Sequence, residues 1–468
     1  GLLVGSIPGL SVTMATAILV TVTYSWSIEN ALALIMGLYV AGVFSGAVSA
    51  ILINIPGAPA AVITKLDGFP MTERGEGAKA LWIATFQSFI GSLVGLILLA
   101  LLAKPISNIA LQFSPLDYFL IAVFGLSAVG SLTAENYTKG LISAIIGLFL
   151  SSIGRESIMG TTRFSFGITN LQAGINLIAA LIGLFGFAEV LTQIYRGSYN
   201  SIAKKTGKIK ADFKGAIKHL PLSIRSSIIG TFIGALPGCG GPVAALISYD
   251  SAKKTVKNPS CSFGEGAEEG IVASEAANNA CVGGALIPML TLGIPGDAVT
   301  AVILAAFLVH GLNPGPLLFA ESPELFHLIL AGGFVGSISM LILGIIVVPR
   351  LSKIVLIPKK ILLPIVAVLS VIGAYAVNNS LFDVLVMIII GFIGFLLKKN
   401  NYPIAPIVLA LVLGDMMDPN FRRAFAYNPS ISELFLSIFQ RPITLILFIM
   451  IVLSILSNFS FFKNKFKF

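Results

Sequence analysis

The chain has 468 residues, of which 56% are hydrophobic and only 11% are charged, and its mean hydropathy is +0.95. A soluble domain carries about 25% charged residues, so this composition argues against a soluble enzyme or binding module. The formal net charge of +9 does not indicate a nucleic-acid partner, because the Lys and Arg residues sit in short segments between apolar runs.

Long apolar runs follow one another from residues 1–24 to residues 443–456. At roughly 20 residues per span they form about 11–12 hydrophobic segments. The predicted fold is therefore an all-α, polytopic protein in a lipid bilayer. The chain opens on an apolar segment at Gly1 without a Met, so we expect further residues before it.

A basic linker at residues 196–225 divides the chain. It contains eight basic residues against the single acidic Asp212, and such an excess between spans predicts a cytoplasmic loop. The basic residues are Arg196, Lys204, Lys205, Lys208, Lys210, Lys214, Lys218 and Arg225. We expect a first transmembrane repeat at 1–195, a second at 226–397, and a C-terminal transmembrane pair with a basic tail at 398–468.

Four Pro-Gly dipeptides interrupt the apolar runs, two in each half and in matching order. They are Pro8-Gly9 and Pro56-Gly57 in the first half, and Pro237-Gly238 and Pro295-Gly296 in the second. Proline removes a backbone donor and disfavours helix in the residue before it, while glycine permits a sharp turn. The pattern predicts two repeated halves with discontinuous or re-entrant helices, an arrangement found in transporters.

A helix-start signal follows each dipeptide. Ser11 and Asp297 are expected to cap the helices that begin there, and Pro59 and Pro242 are typical of a first turn. A helix start inside the membrane offers backbone N–H groups and a positive dipole end to an anion, whereas the carbonyls before the break suit a cation. The expected ligand is a small anion, with a coupling cation.

Polar side chains lie near the second dipeptide of each half. Asn278 and Asn279 enter an apolar run, where an unpartnered amide is costly, so we expect them to contact a ligand or ion. The predicted substrate-binding residues are Pro8, Gly9, Ser49, Asn54, Pro56, Gly57, Pro237, Gly238, Asn278, Asn279, Thr291, Pro295 and Gly296. The predicted ion-coupling residues are Asp67, Glu275 and Asp297. As an N-cap, however, Asp297 would occupy the donors that an anion needs.

Motifs of enzymes are absent from the sequence. It contains no GxxxxGK[ST], HExxH or GxSxG pattern, and its three histidines are scattered. The three cysteines have no CxxC spacing and suggest neither a disulfide framework nor a zinc site. We expect no enzymatic activity and no cofactor or metal, and the energy for transport would come from an ion gradient.

Several long stretches resemble the TctA-type large membrane subunit of tripartite tricarboxylate transporters. They are LTLGIPGDAVTAVILAAFLVHGLNPGPLLF at 290–319, EAANNA at 275–280, FGEGAEEG at 263–270 and ILINIPGAPAAVITKLDGFPM at 51–71. The resemblance covers nearly the whole chain. The chain departs from the family at Ser45-Gly46-Ala47, where a Gly-Gly-Ser-like run is usual, so the resemblance does not identify citrate as the substrate.

The resemblance implies a multi-pass transporter of the bacterial inner membrane. It implies two protein partners, a small four-helix membrane subunit and a periplasmic binding protein that delivers a carboxylate, and symport with Na⁺ or H⁺. Two other functions stay open at this point. One is a passive anion channel, and the other is a non-transporting membrane component such as an assembly scaffold.

Overall fold

A computed structural model describes residues 1–7, 10–132, 137–197, 209, 211–351, 359–427 and 430–456. For residues 128–132, 349–351 and 359–362 it describes the backbone alone. Pro8 and Gly9 of the predicted site therefore lie outside the described residues. So do residues 198–208 and 210 of the predicted basic linker, and residues 457–468 with the basic tail.

The first half is built from helices of very different lengths. They are α1 (Leu2–Ser6), α2 (Val12–Val22), α3 (Ile28–Ile53), α4 (Ala61–Glu73), α5 (Gly77–Ala110), α6 (Pro115–Leu132), α7 (Tyr137–Ser151), α8 (Leu177–Leu181) and α9 (Ala188–Arg196). A wide helical turn, Ile182–Phe187, joins α8 to α9. A short antiparallel hairpin pairs Gly154–Arg155 with Thr162–Arg163, a feature that the sequence did not predict.

The second half begins with the short α10 (Phe213–Lys218) and again alternates short and long helices. The others are α11 (Leu220–Gly234), α12 (Gly240–Thr255), α13 (Glu268–Leu292), α14 (Ala298–Val309), α15 (Leu318–Glu321), α16 (Pro323–Leu351), α17 (Lys359–Asn378), α18 (Leu381–Lys399), α19 (Ala405–Tyr427), α20 (Ile431–Gln440) and α21 (Pro442–Leu456).

Five helices of the described chain are long and apolar enough to cross a membrane. They are Ile28–Ile53, Gly77–Ala110, Leu177–Arg196, Pro323–Val348 and Leu381–Lys399. A sixth span results if α20 and α21, bent by 104° at their junction, are taken together. Several other predicted segments correspond to apolar helices of 10–17 residues, too short for an untilted span. The chain is thus a helical, multi-pass membrane protein with fewer full-length spans than predicted segments.

Helix α13 occupies the centre of the molecule, and glycines bring its neighbours close. A Cβ on Gly95 of α5 would lie 3.0 Å from the Cα of Ala280, and one on Gly234 of α11 would lie 3.0 Å from the Cα of Cys281. Small residues at such crossings let helix backbones approach closely in a membrane, where association depends on packing rather than on the hydrophobic effect. The same helix therefore packs against α5 on one side and α11 on the other.

Candidate functional site

The loop between α3 and α4 folds back onto the helix that precedes it. We call residues 54–60 the first tip. Asn54 ends α3 in the left-handed conformation, with φ of 59°. The Gly57 N–H donates to the Gly46 carbonyl over 3.2 Å, and a Cβ on Gly57 would lie 2.8 Å from Ser49 Oγ. Only glycine allows this close approach without a shift of the backbone.

The loop between α13 and α14, residues 293–297, follows a similar path, and we call it the second tip. Gly293 ends α13 with φ of 71°. A Cβ on Gly296 would lie 2.6 Å from both the Ala285 Cα and the Gly234 carbonyl oxygen. The Gly296 carbonyl accepts the N–H of Gly238 over 2.8 Å, which connects the second tip to the loop before α12.

The starts of α4 and α12 lie side by side next to the second tip. A Cβ on Gly241 of α12 would lie 3.6 Å from the Cβ of Ala60, and Asn278 Oδ1 lies against the same glycine. A Cβ on Gly240 would lie 3.4 Å from the Cβ of Asp297. Asn278 is 4% exposed and its amide donates to the Val43 carbonyl over 3.4 Å. Three chain segments therefore meet around Asn278.

The four helices that follow the Pro-Gly dipeptides differ in their caps. Met14 N–H bonds to Ser11 Oγ over 3.0 Å at the start of α2, which confirms the predicted cap. Asp297 and Thr300 form a reciprocal capping box at α14, with a 2.8 Å bond from the Thr300 N–H to Asp297 Oδ1, which confirms the second predicted cap. Tyr39 donates to the other carboxylate oxygen of Asp297 over 2.7 Å.

No side chain caps α4 or α12. Within the described part of the chain, no hydrogen bond reaches the N–H of Ala58 or of Ala60, although Ala60 is only 4% exposed. Buried N–H groups are nearly always paired with a carbonyl, a side chain or an ordered molecule. The two uncapped helix starts are thus the part of this region with donors available to an anion.

Glu275 lies fully buried in α13, between α4 and α5. The Thr64 hydroxyl donates to one carboxylate oxygen, and the Ser88 hydroxyl donates to the other over 2.9 Å. Thr64 Oγ1 is also 3.3 Å from the hydroxyl oxygen of Ser274. Among the ion pairs of the described residues, none involves Glu275. Its charge is therefore compensated by neutral hydroxyls alone.

Asn279, like Asn278, contacts α3, but it also contacts α5. Its amide nitrogen donates to Ser92 Oγ over 3.1 Å and to the Val40 carbonyl over 3.4 Å. Its carbonyl oxygen Oδ1 is buried and has no partner among the described residues. Because Asn279 follows Glu275 by one helical turn, both lie on the same side of α13.

Asp67 has a different environment, further along α4. One carboxylate oxygen accepts the N–H groups of Gly264, Gly266 and Ala267 over 2.8–2.9 Å, and the other accepts the Tyr249 hydroxyl over 2.8 Å. These contacts fasten the loop before α13 to α4. The carboxylate has four donors of its own and is not placed with Glu275.

The remaining predicted residues separate into two groups. Ser49, Asn54, Pro56, Gly57, Gly238, Pro295 and Gly296 belong to the tips or touch them, and Pro237 precedes Gly238 in the loop before α12. Thr291 is buried and bonds to the Ile287 carbonyl of its own helix over 2.8 Å. The sequence analysis missed Tyr39, Ser88 and Ser92, although the two serines are four residues apart on an apolar helix and so share one face.

These features define a membrane protein whose polar groups are gathered at interrupted helices in its interior. The chain belongs to the tripartite tricarboxylate transporter TctA family, whose model matches residues 1–409. It is thus a membrane transporter subunit of the tripartite tricarboxylate type, in a family of transporters rather than enzymes.

Two relatives come from Agrobacterium vitis. The chain is 36% identical over 428 residues to an "uncharacterized 52.8 kDa protein in TAR-I ttuC' 3'region", covering 91% of this chain and 84% of that one. It is 36% identical over 208 residues to an "uncharacterized protein in TAR-II ttuC' 3'region", covering 44% of this chain and 86% of that one. No solved structure matches the chain.

Proposed function

We propose that this chain is the large permease subunit of a binding-protein-dependent secondary transporter that imports a small di- or tricarboxylate. It works in the bacterial inner membrane with a small four-helix membrane subunit and a periplasmic binding protein. Symport of Na⁺ or H⁺ drives the uptake. Membership of the family supports this assignment.

The proposed position of the substrate site rests on one observation. The starts of α4 and α12 adjoin, neither has a side-chain cap, and the buried N–H of Ala60 has no partner among the described residues. A carboxylate placed there accepts these N–H groups and lies at the positive end of two helix dipoles. Asn278, between the two starts, supplies a polar side chain that fixes its orientation.

In this proposal the second tip lines the site but does not bind the anion. Asp297 already accepts the Thr300 N–H and brings a negative charge to the start of α14, so Pro295 and Gly296 shape the wall of the site rather than bind the anion. Ser49 and Pro56 do the same for the first tip, where Gly57 provides the close turn. Thr291, which bonds within α13, is outside the anion site.

Two matching contacts support the proposal of an internal repeat and of alternating access. Gly57 packs against Gly46 eleven residues upstream, and Gly296 packs against Ala285 eleven residues upstream. Helix α16 packs along α3, as α5 packs along α13. We propose that the two halves are structural repeats that move about a shared site, a mechanism common among secondary transporters.

The packing also guides the division into repeats. Helix α19 packs against α6 and α7, and the helix Leu177–Arg196 packs against α17 and α18. We therefore propose the first repeat at 1–195, the linker at 196–225, the second repeat at 226–397 and the C-terminal pair within 398–468, with helices of each part packing on the others. The pair α20 and α21 follows as an addition to the two repeats.

The test is uptake of labelled di- and tricarboxylates into membrane vesicles that contain both membrane subunits, with the binding protein added. Na⁺ and H⁺ gradients are imposed and collapsed separately. We expect concentrative uptake that one of the two gradients drives. Uptake that only equilibrates, with no need for a gradient or binding protein, would indicate a passive anion channel. No uptake of any carboxylate would favour the scaffold function.

A further inference from the structure

The carboxylate of Glu275 needs a counter-charge that the described chain does not provide. The residue is 0% exposed, and its described hydrogen-bond partners are the hydroxyl groups of Thr64 and Ser88. An ionised carboxylate without a partner is very costly in the interior of a membrane protein. When these helices are packed as observed, Glu275 must therefore bind either a cation or a proton.

The neighbouring oxygen atoms favour a metal cation. Asn279 Oδ1 is buried and unpartnered one turn away on the same helix, because the amide nitrogen faces Ser92 and Val40. A carbonyl oxygen accepts and never donates, so it is satisfied by a cation. A cation can bind several oxygen atoms at once, whereas a proton on Glu275 can be shared with only one acceptor.

The oxygen atoms around Glu275 also favour a cation with a single positive charge. One carboxylate, neutral hydroxyls and an amide carbonyl are hard oxygen ligands, and they balance a single positive charge. Within the described part of the chain, no group of three or more His, Cys, Asp or Glu side chains is placed to hold a metal ion. A divalent or transition metal therefore finds too few charged ligands here.

We propose that a Na⁺ ion binds between α4, α5 and α13, held by the carboxylate of Glu275, the hydroxyls of Thr64 and Ser88, and Oδ1 of Asn279. The proposal rests on the proposed function and deepens it by assigning the coupling ion and its site. Asp67 and Asp297, the other two predicted ion-coupling residues, are left out because their carboxylates fasten a loop and cap a helix.

The position of this site explains how the ion is coupled to the anion. Thr64 belongs to the first turns of α4, whose start adjoins the anion site, and Asn278 stands next to Asn279 on α13. Na⁺ draws α4 against α13 and thereby fixes the helix start that binds the carboxylate. By linkage, a bound carboxylate raises the affinity for Na⁺ by the same factor.

The test measures binding of radiolabelled Na⁺ to the purified complex of the two membrane subunits. The variants are Glu275→Gln and Asn279→Ala, and the control is Thr192→Val in α9, a buried position whose hydroxyl bonds to the Ala188 carbonyl of its own helix. We expect the affinity for Na⁺ to fall at least about tenfold in both variants and to stay within about twofold in the control, in the absence of carboxylate. Equal binding by all four proteins would overturn the proposal.

A second measurement separates loss of the site from loss of the fold. We expect Na⁺, but not choline, to raise the apparent melting temperature of the wild type, as a ligand specific for the folded state does. Glu275→Gln should melt in Na⁺-free buffer no lower than the wild type, because it removes a buried charge, and should show no rise with Na⁺. A variant that is still stabilised by Na⁺ contradicts the assignment.

The outcomes distinguish this inference from the proposed function. If Na⁺ binds through Glu275 but no carboxylate is taken up, the transport proposal fails and the site stands. If Na⁺-driven uptake persists in Glu275→Gln, the site is wrong and the transport proposal stands. If uptake follows the H⁺ gradient and the wild type binds no Na⁺, the assignment of a sodium site is overturned.

Discussion

The first and second tips follow similar backbone paths, yet the helices after them begin differently. In the first tip the dipeptide Pro56-Gly57 is followed by Ala58, which offers no cap to α4. In the second, Pro295-Gly296 is followed by Asp297, whose carboxylate bonds to the Thr300 N–H and the Tyr39 hydroxyl. The second tip is also more deeply buried than the first.

The difference separates an anchored helix start from the helix start at which we propose that the substrate binds. A carboxylate at Asp297 supplies, within the chain, the negative group that a helix start attracts. The start of α4 has no such group, so an external anion can take that place. Two loops of the same shape are thus adapted to two tasks by one side chain.

A similar contrast applies to the helices before the tips. Counted back from the Pro-Gly dipeptide, Glu275 and Asn279 of α13 correspond to Met36 and Val40 of α3. The polar pair has an apolar counterpart that packs in the core. The proposed ion site combines Glu275 and Asn279 of the second half with Thr64 and Ser88 of the first, so it requires both halves.

The largest expected loss of stability comes from adding a side chain to the closely packed glycine of either tip. Alanine at Gly57 or at Gly296 places a Cβ within 2.6–3.0 Å of a backbone atom, namely the Cα of Gly46 or of Ala285. Each variant should lose about 1–3 kcal/mol of stability, because a backbone yields less readily than a side chain. The measurement is the apparent unfolding of the purified protein in detergent.

Gly37→Ala is the control for these two variants, since a Cβ at this position in α3 meets nothing within 4 Å. It should be neutral or slightly stabilising, because alanine favours helix over glycine. If Gly57→Ala destabilises and Gly296→Ala does not, the two tips are not equivalent in packing.

A smaller loss of stability is expected when the cap that only the second tip has is removed. Asp297→Ala removes the cap of α14, which typically contributes about 1 kcal/mol, and also leaves the buried hydroxyl of Tyr39 without its acceptor. We expect about 2 kcal/mol of destabilisation in the same unfolding assay. Asp297→Asn keeps an oxygen acceptor and should recover about half of the loss. Wild-type stability of Asp297→Ala would show that the cap is dispensable.

An aspartate at position 58 would give the first tip the same side chain that follows the dipeptide in the second tip. Ala58→Asp should place a negative charge at the start of α4 and weaken carboxylate binding about tenfold, equivalent to ~1.4 kcal/mol. Stability should change little, since Ala58 is half-buried. Binding is measured by competition with a labelled tricarboxylate. Ala58→Asn has the same size without the charge, so an equal loss in that variant would indicate steric exclusion instead.

The sequence predicted the features that depend on neighbouring residues. Ser11 and Asp297 were recognised as caps because their partners lie three positions along the chain, and the apolar runs identified the membrane class. The contact between Tyr39 and Asp297 joins residues 258 positions apart and depends on how α3 and α14 pack. The different partners of Asn278 and Asn279, on α12 and on α5 respectively, likewise depend on which helices surround α13.

The proposed ion site likewise depends on contacts between distant residues, which the sequence does not predict. Glu275 was predicted as an ion-coupling residue, but its hydroxyl partners come from α4 and α5, more than 180 residues earlier. No local pattern specifies such a meeting. The short hairpin at Gly154–Arg163 and the helix α20 were also missed, because neither has a long apolar run.

The contacts of Asp67 have a consequence for biogenesis. All the groups that bond to this carboxylate belong to the second half, the nearest at Tyr249, 182 positions later. At roughly 5–20 residues per second, the ribosome needs on the order of ten seconds or more to supply them. Until then the nascent first half holds an acidic group that it cannot satisfy. This half is therefore an assembly intermediate, and expressed alone it should be a substrate for membrane quality control.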